Sequence, residues 1–251
     1  MFTIALIGAD GSGKTTITRQ IERDLPLSIK YIYMGFSPLS SNVALPTTRL
    51  ISWMKQLFGK GGDTGGPPDP TRKRPRSNNP LKRLASGVKA VLRLANRLAE
   101  EWFRQAVVWY YRYLGYIVLT DRHFFSDYYA HDIANNDPDR SFTSRLHGFV
   151  LGRFYPRPDL IIFLDAPAEV LFARKGEGSI ELLEMRRQEY LQLQEQVGRF
   201  VIVNADRPLP EVTADVLAAI EEFQVEGVRP APGSTWGSRH RYPFGKGWNE
   251  R

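Results

Sequence analysis

Phe2-Thr3-Ile4-Ala5-Leu6-Ile7-Gly8-Ala9-Asp10-Gly11-Ser12-Gly13-Lys14-Thr15 decides the fold of this chain. Phe2 to Ile7 is a short apolar run that stops at a glycine, as a strand buried on both faces of a parallel sheet would. From Lys14 to Leu25 the pattern reads as a helix that Pro26 closes. Strand, glycine-rich turn and helix in that order open an α/β fold. Gly8 to Thr15 fits G-x-x-x-x-G-K-[ST] in the context that motif requires. Its glycines let the backbone curl until several N–H groups face inward, and the helix N-terminus adds its positive end, so the loop is built to hold phosphate. Lys14 is placed to reach the β and γ phosphates of a nucleotide, and the Thr15 hydroxyl to hold Mg²⁺. The motif indicates a nucleoside triphosphatase or a kinase without naming an acceptor. Asp10 would repel phosphates if it pointed inward, which leaves it facing an acceptor hydroxyl or bulk solvent.

Outward from the loop, Lys30 to Met34 reads as a second strand, Tyr116 to Thr120 as a third, Leu160 to Leu164 as a fourth and Phe200 to Val203 as a fifth. Helices are expected over Phe125 to Ile133, Ala168 to Arg174, Ser179 to Val197 and Leu209 to Phe223. The spacing predicts a three-layer α/β fold around a five-stranded parallel sheet, with a domain over 1–225. Residues 59–80 are dense in Gly, Pro and Arg and read as a flexible insertion, and 226–251 as a C-terminal extension. Between insertion and third strand, 81–114 forms one long helical pattern. Leu84, Val88, Val91, Ala95, Leu98 and Trp102 recur at three- and four-residue steps, with Lys82, Lys89, Arg93, Arg97 and Arg104 on the other side.

The carboxyl ends of parallel strands meet in a ligand-binding crevice, which brings Asp121-Arg122-His123 toward Thr15. Asp121 is placed to join the Mg²⁺ shell and Arg122 to fork onto an acceptor phosphate. His123, between the strand and Phe124 and Phe125, reads as packing. Ser126 is a candidate for substrate contact or for capping the next helix, and Asp165 reads as a helix cap more readily than as a metal ligand.

Four stretches in register make the chain similar to the thymidylate kinase family: GADGSGKTT from Gly8 to Thr16, DRHFFS from Asp121 to Ser126, PDLIIFLDAPAEVLFAR from Pro158 to Arg174, and RQEYL with VIVNADRPLPEV between Arg187 and Val212. The resemblance implies a P-loop kinase fold and transfer of the γ-phosphate of ATP to a nucleoside monophosphate, nominally dTMP. Gly8, Asp10, Gly11, Ser12, Gly13, Lys14, Thr15 and Thr16 would then hold ATP, with Thr15 and Asp121 on Mg²⁺. It implies catalytic roles for Lys14, Asp121, Arg122 and the lid arginine Arg174, with Lys175 as its partner. Asn204 and Asp206 would lie beside the adenine, and Asp10, Arg97, Arg122 and Ser126 beside the acceptor. Two further readings stay open, a kinase of a nucleoside, sugar or other small hydroxyl compound, and an ATP-binding switch or membrane-associated assembly protein.

Composition narrows the partners. The 251 residues contain no cysteine and four histidines, which removes thiol catalysis, disulfides and thiolate metal sites and makes the cytoplasm the expected location. No apolar run approaches the ~20 residues that span a bilayer. The net charge of +7 is uneven: residues 71–104 carry ten Lys and Arg against two Glu, a local +8 that leaves −1 for the rest. A small phosphoryl acceptor is the expected partner. A homodimer and a peripheral contact of 71–104 with an anionic membrane stay open, while nucleic acid is disfavoured because no nucleic-acid module accompanies the charge.

Overall fold

The computed structural model describes residues 1–24, 28–35, 41–49, 53, 80–135, 137 and 140–226. Five strands, β1 (Thr3–Ile7), β2 (Ile29–Tyr33), β3 (Ile117–Asp121), β4 (Leu160–Asp165) and β5 (Phe200–Asn204), form one sheet in the order β2-β3-β1-β4-β5. Every pairing is parallel. Ile4 and Leu6 pack under α1 (Lys14–Asp24) and the C-terminal helix, beside Ile17, Ile21, Val216, Ile220 and Phe223. Ala5 and Ile7 face the other way, toward Val108, Phe125 and Leu151. A strand covered on both faces needs apolar residues at successive positions, which explains the unbroken run that opens the chain.

α2 (Pro80–Tyr113), α3 (Phe124–Tyr128) and α4 (Phe142–Phe154) cover the second face. Tyr129–Ile133 continues α3 as a π-helical turn. α5 (Ala168–Lys175) and α6 (Ile180–Leu191) follow β4, and α7 (Leu209–Glu226) returns beneath β4 and β5. Gly176 ends α5 in a left-handed conformation, φ 66°, its N–H returning to the Phe172 carbonyl. Of the expected insertion at 59–80 and extension at 226–251, Pro80 begins α2 and Glu226 ends α7, and the rest lies outside the described residues.

α2 corrects the expected helix face. Val88 and Val91 are exposed, whereas Leu94, Glu100, Glu101, Arg104, Gln105 and Val108 are buried. Leu94, Glu101, Gln105 and Val108 recur at steps of seven, four and three, so the inward stripe is mostly polar and hydropathy periodicity finds the wrong side. Arg104, expected among the solvent-facing cations, is 1% exposed. Its Nε is 2.8 Å from Glu100, and NH1 donates to the carbonyls of Gly35 at 2.8 Å and Tyr33 at 3.3 Å. It thus fastens α2 to the chain leaving β2, at the rim of the crevice.

Candidate active site

The P-loop takes its shape from three positive-φ glycines, Gly8, Gly11 and Gly13. At Gly11 a Cβ would also stand 2.6 Å from the Leu171 carbonyl oxygen, so only glycine lets α5 close on the loop. Lys14 is buried, with Nζ 2.8 Å from the Ala9 carbonyl and 3.3 Å from the Ser12 hydroxyl. Burial first, then the neighbouring Arg122 charge, lowers its ammonium to about 8 despite Asp121 and Asp10.

The sheet register sets Asp121 beside both Leu6 and Tyr33. The Thr15 hydroxyl donates to Asp121 Oδ2 at 2.5 Å, while the buried Oδ1 has no hydrogen-bond partner. That pair joins the P-loop to the end of β3, as the two motifs require. A hydroxyl and a carboxylate with a spare buried oxygen suit a hard, oxygen-seeking divalent cation such as Mg²⁺.

Arg122 occupies a left-handed conformation, φ 68°, rare for a residue with a β-carbon. Its N–H is held by the Leu6 carbonyl at 3.0 Å, and its guanidinium by Asp10 at 2.5 Å and Asp127 at 4.0 Å. Asp10, which the sequence left facing an acceptor hydroxyl or solvent, faces cations: Arg122, Arg186 at 3.2 Å and Lys175 at 3.7 Å. Burial alone would raise its carboxyl, but Arg122, Lys14, Lys175 and Arg186 together hold it below the ordinary value.

Asp127 and Arg186 are participants that sequence reasoning missed. Asp127 is buried, accepts from the Tyr190 hydroxyl at 2.9 Å, and is pushed up to about 6 by burial against the pull of Arg122. The signal for Asp127 was the Asp-Arg cluster itself, since a buried arginine at a strand end needs carboxylates within reach, here on α3 and in the P-loop, whereas no spacing announces Arg186.

Other expected residues separate by location. Arg174 is not brought to the P-loop; NH1 donates to the Ala205 carbonyl at 2.9 Å and NH2 lies 3.7 Å from Asp206. Asn204 and Asp206 therefore share a corner with Arg174, where the Asp206 N–H donates to the Asn204 side chain. Arg97 lies 5.4 Å over the Tyr128 ring. Ser126 is buried inside α3 with its hydroxyl unpartnered, and since His123 is the N-cap position, Ser126 caps nothing. His123 packs against Tyr155 and is neutral, burial lowering it to about 3. Asp165 caps no helix either, because it is held in a two-pronged ion pair by Arg187 at 2.5 and 2.9 Å.

A P-loop on a five-stranded parallel sheet, with an Asp-Arg pair at the neighbouring strand end, defines a P-loop kinase fold. The thymidylate kinase family model matches residues 83–216, more than half of the chain, and the chain belongs to that family. The thymidylate kinase of Haemophilus ducreyi is 34% identical over 118 residues, 43% of this chain and 54% of that protein, so the chain spans about half of that relative. A probable thymidylate kinase of Pyrobaculum calidifontis is 29% identical over 226 residues, 87% of this chain and 95% of that protein. Among solved structures, deoxyadenosine kinase from M. mycoides with bound dATP superposes with a TM-score of 0.48 at 15% identity, covering 87% of this chain and 99% of that one.

Proposed function

We propose that the protein transfers the γ-phosphoryl group of ATP to a nucleoside monophosphate, nominally dTMP, giving ADP and the nucleoside diphosphate. The observation that carries this reading is the contact of the P-loop with the end of β3, Thr15 to Asp121 at 2.5 Å, with the Arg122 guanidinium beside it. An acceptor phosphate oxygen attacks Pγ, the bond from Pγ to the β–γ bridging oxygen breaks, and the electron pair leaves with ADP. Catalysis of this kind rests on positioning and charge neutralisation.

Gly8 to Thr16 cradle the donor phosphates through backbone N–H groups, and Lys14 exchanges the Ala9 carbonyl for a phosphate oxygen. Thr15 and Asp121 would hold Mg²⁺, which when bound neutralises charge on the donor phosphates. Arg122 turns its fork from Asp10 to the acceptor phosphate. Arg97, Tyr128 and Ser126 form the wall on which the acceptor base rests, and Asn204, Asp206 and Arg174 border the adenine. A location where ATP is made available, the cytoplasm, goes with this reading.

Lys14→Ala tests it. Turnover of ATP with dTMP is expected to fall at least ~10³-fold with the fold intact, since both P-loop charge and positioning are lost. Retained turnover would overturn the reading.

A peripheral contact with anionic lipid is proposed for the start of α2, where exposed Val88, Val91 and Leu92 alternate with Lys89 and Arg93. A homodimer is proposed through α4, whose Phe142, Leu146 and Phe149 present apolar side chains along one exposed stripe.

A further inference from the structure

Arg186 and Arg187 are consecutive on α6, and the fold uses them for different work. Arg187 forks onto Asp165 at the end of β4, and Tyr190, three residues on, donates to Asp127 on α3. These two attachments pin α6 against the sheet and against α3. With the helix fixed, Arg186 is aimed at the P-loop: NH1 stands 3.2 Å from Asp10 Oδ2, and its side chain is 15% exposed. Arg122 takes the other oxygen of Asp10, and Lys175, the last residue of α5, lies 3.7 Å away. Three cations from three elements therefore converge on one carboxylate, inside a loop whose backbone is shaped for phosphate.

Counting Lys14, four cations stand against the carboxylates of Asp10, Asp121 and Asp127, and Lys175 also pairs with the exposed Glu177 at 2.8 Å. The least exposed of these cations, Lys14, Arg122 and Arg186, all lie at the P-loop. Among the described residues, Arg122 and Arg186 are the guanidiniums that bond a P-loop side chain. Arg174, the arginine that the sequence pattern nominates for the donor, is occupied at the Asn204–Asp206 corner and is 38% exposed.

We propose that Arg186 is a catalytic residue of phosphoryl transfer, a guanidinium on a fixed helix that bonds the γ-phosphoryl oxygens in the transition state, with Asp10 holding it in register before nucleotide enters. The proposal rests on the phosphotransferase reading above. Transfer through a loose transition state shifts charge onto the bridging and equatorial oxygens, and an arginine placed there contributes to kcat more than to binding of the ground state. A lid must close before its cation acts, whereas Arg186 is preorganised by Arg187 and Tyr190.

The experiment compares wild type with Arg186→Ala and Arg186→Lys. Where alanine lowers the melting temperature, Arg186→Gln, which keeps most of the apolar stem, takes its place. Two quantities are read: kcat and KM for ATP with the acceptor that a panel of nucleoside monophosphates selects, and the tightening of ADP·Mg²⁺ binding when aluminium fluoride and that acceptor are added. Arg186→Ala is expected to lose about 10²- to 10³-fold in kcat with KM changed less than about threefold. It should also lose the fluoride-dependent tightening while binding ADP·Mg²⁺ normally. Lysine should recover part of kcat, since it restores the charge without the fork. Wild-type kcat in the alanine variant, a loss confined to KM, or intact tightening would each overturn the role of Arg186 alone. Wild-type protein that neither turns over nor binds more tightly with fluoride would overturn the phosphotransferase reading and this role with it.

Discussion

Arg122 concentrates the chemistry of the site into one residue. A side chain in the left-handed region costs roughly 1–2 kcal/mol, and here the Leu6 carbonyl, Asp10 and Asp127 hold it there. Its neighbours set the pH behaviour. Lys14, lowered to about 8 without nucleotide, should make kcat/KM for ATP decline above about pH 8. Bound phosphates favour the ammonium, so kcat should keep its plateau to higher pH, and parallel pH profiles of the two constants check this. Asp127 acts in the opposite sense to a paired surface carboxylate. Its folded value near 6 lies above the unfolded 3.8, so the folded form binds more protons between those values. Stability from this group is full below about pH 4 and is lost as the pH rises through 6. Asp127→Asn should therefore gain on wild type across pH 4 to 6.5, by on the order of 2 kcal/mol in urea unfolding. An unchanged difference over that range would place the carboxylate in water.

Among the elements, legibility followed the physical signal each one carries. The central strands β1, β3 and β4 were readable because burial on both faces demands near-continuous apolar runs, the edge strands β2 and β5 because short β-branched and aromatic runs mark them although Lys30 and Ile202 are partly exposed, and the P-loop because positive-φ glycines, lysine and threonine leave few alternatives. α4 was missed: two glycines interrupt its apolar pattern, and Gly148 is required where the helix crosses the Asp132 carbonyl. That crossing carries a buried trio, His147 between Asp132 at 2.7 Å and Glu101 at 3.0 Å, which links α4 to α2 and which no sequence spacing announces. The inward face of α2 was misread for the same reason, because charge paired in the interior looks like charge on the surface. Arg104 tests that face. Arg104→Ala leaves Glu100 buried without its cation, with only the Leu45 N–H, among the described residues, still donating to it, and should cost ~3–5 kcal/mol by urea unfolding. The pair Arg104→Met with Glu100→Gln should recover much of that loss, and a double variant no better than the single one would refute the account of α2.

At the scale of the whole molecule the +7 charge is uneven, with a local +8 over residues 71–104. Among the described cations of 71–104, Lys89 and Arg93 are exposed at the start of α2, Arg97 lies over the Tyr128 ring and Arg104 is buried against Glu100. If the start of α2 meets anionic lipid, Lys89→Gln with Arg93→Gln should weaken co-sedimentation with phosphatidylglycerol vesicles roughly 30-fold, at ~1 kcal/mol per charge, without changing kinase turnover. Equal binding by both proteins would remove that contact. Ligand should also act on the fold as a unit, because the P-loop joins β1, α1 and, through Asp121, β3. ATP·Mg²⁺ at about 100 times its Kd is expected to add ~2.7 kcal/mol, read as a rise in melting temperature of several degrees that Lys14→Ala largely abolishes. The central claim, transfer of a phosphoryl group through the Thr15–Asp121 and Arg122 site, is met most directly by ADP release with ATP·Mg²⁺ against a panel of nucleoside monophosphates, nucleosides and sugars, with the product identified by mass. The account expects a nucleoside diphosphate, formed one for one with ADP and lost in Lys14→Ala and Arg122→Ala; no ADP with any acceptor, or turnover indifferent to both substitutions, would contradict it.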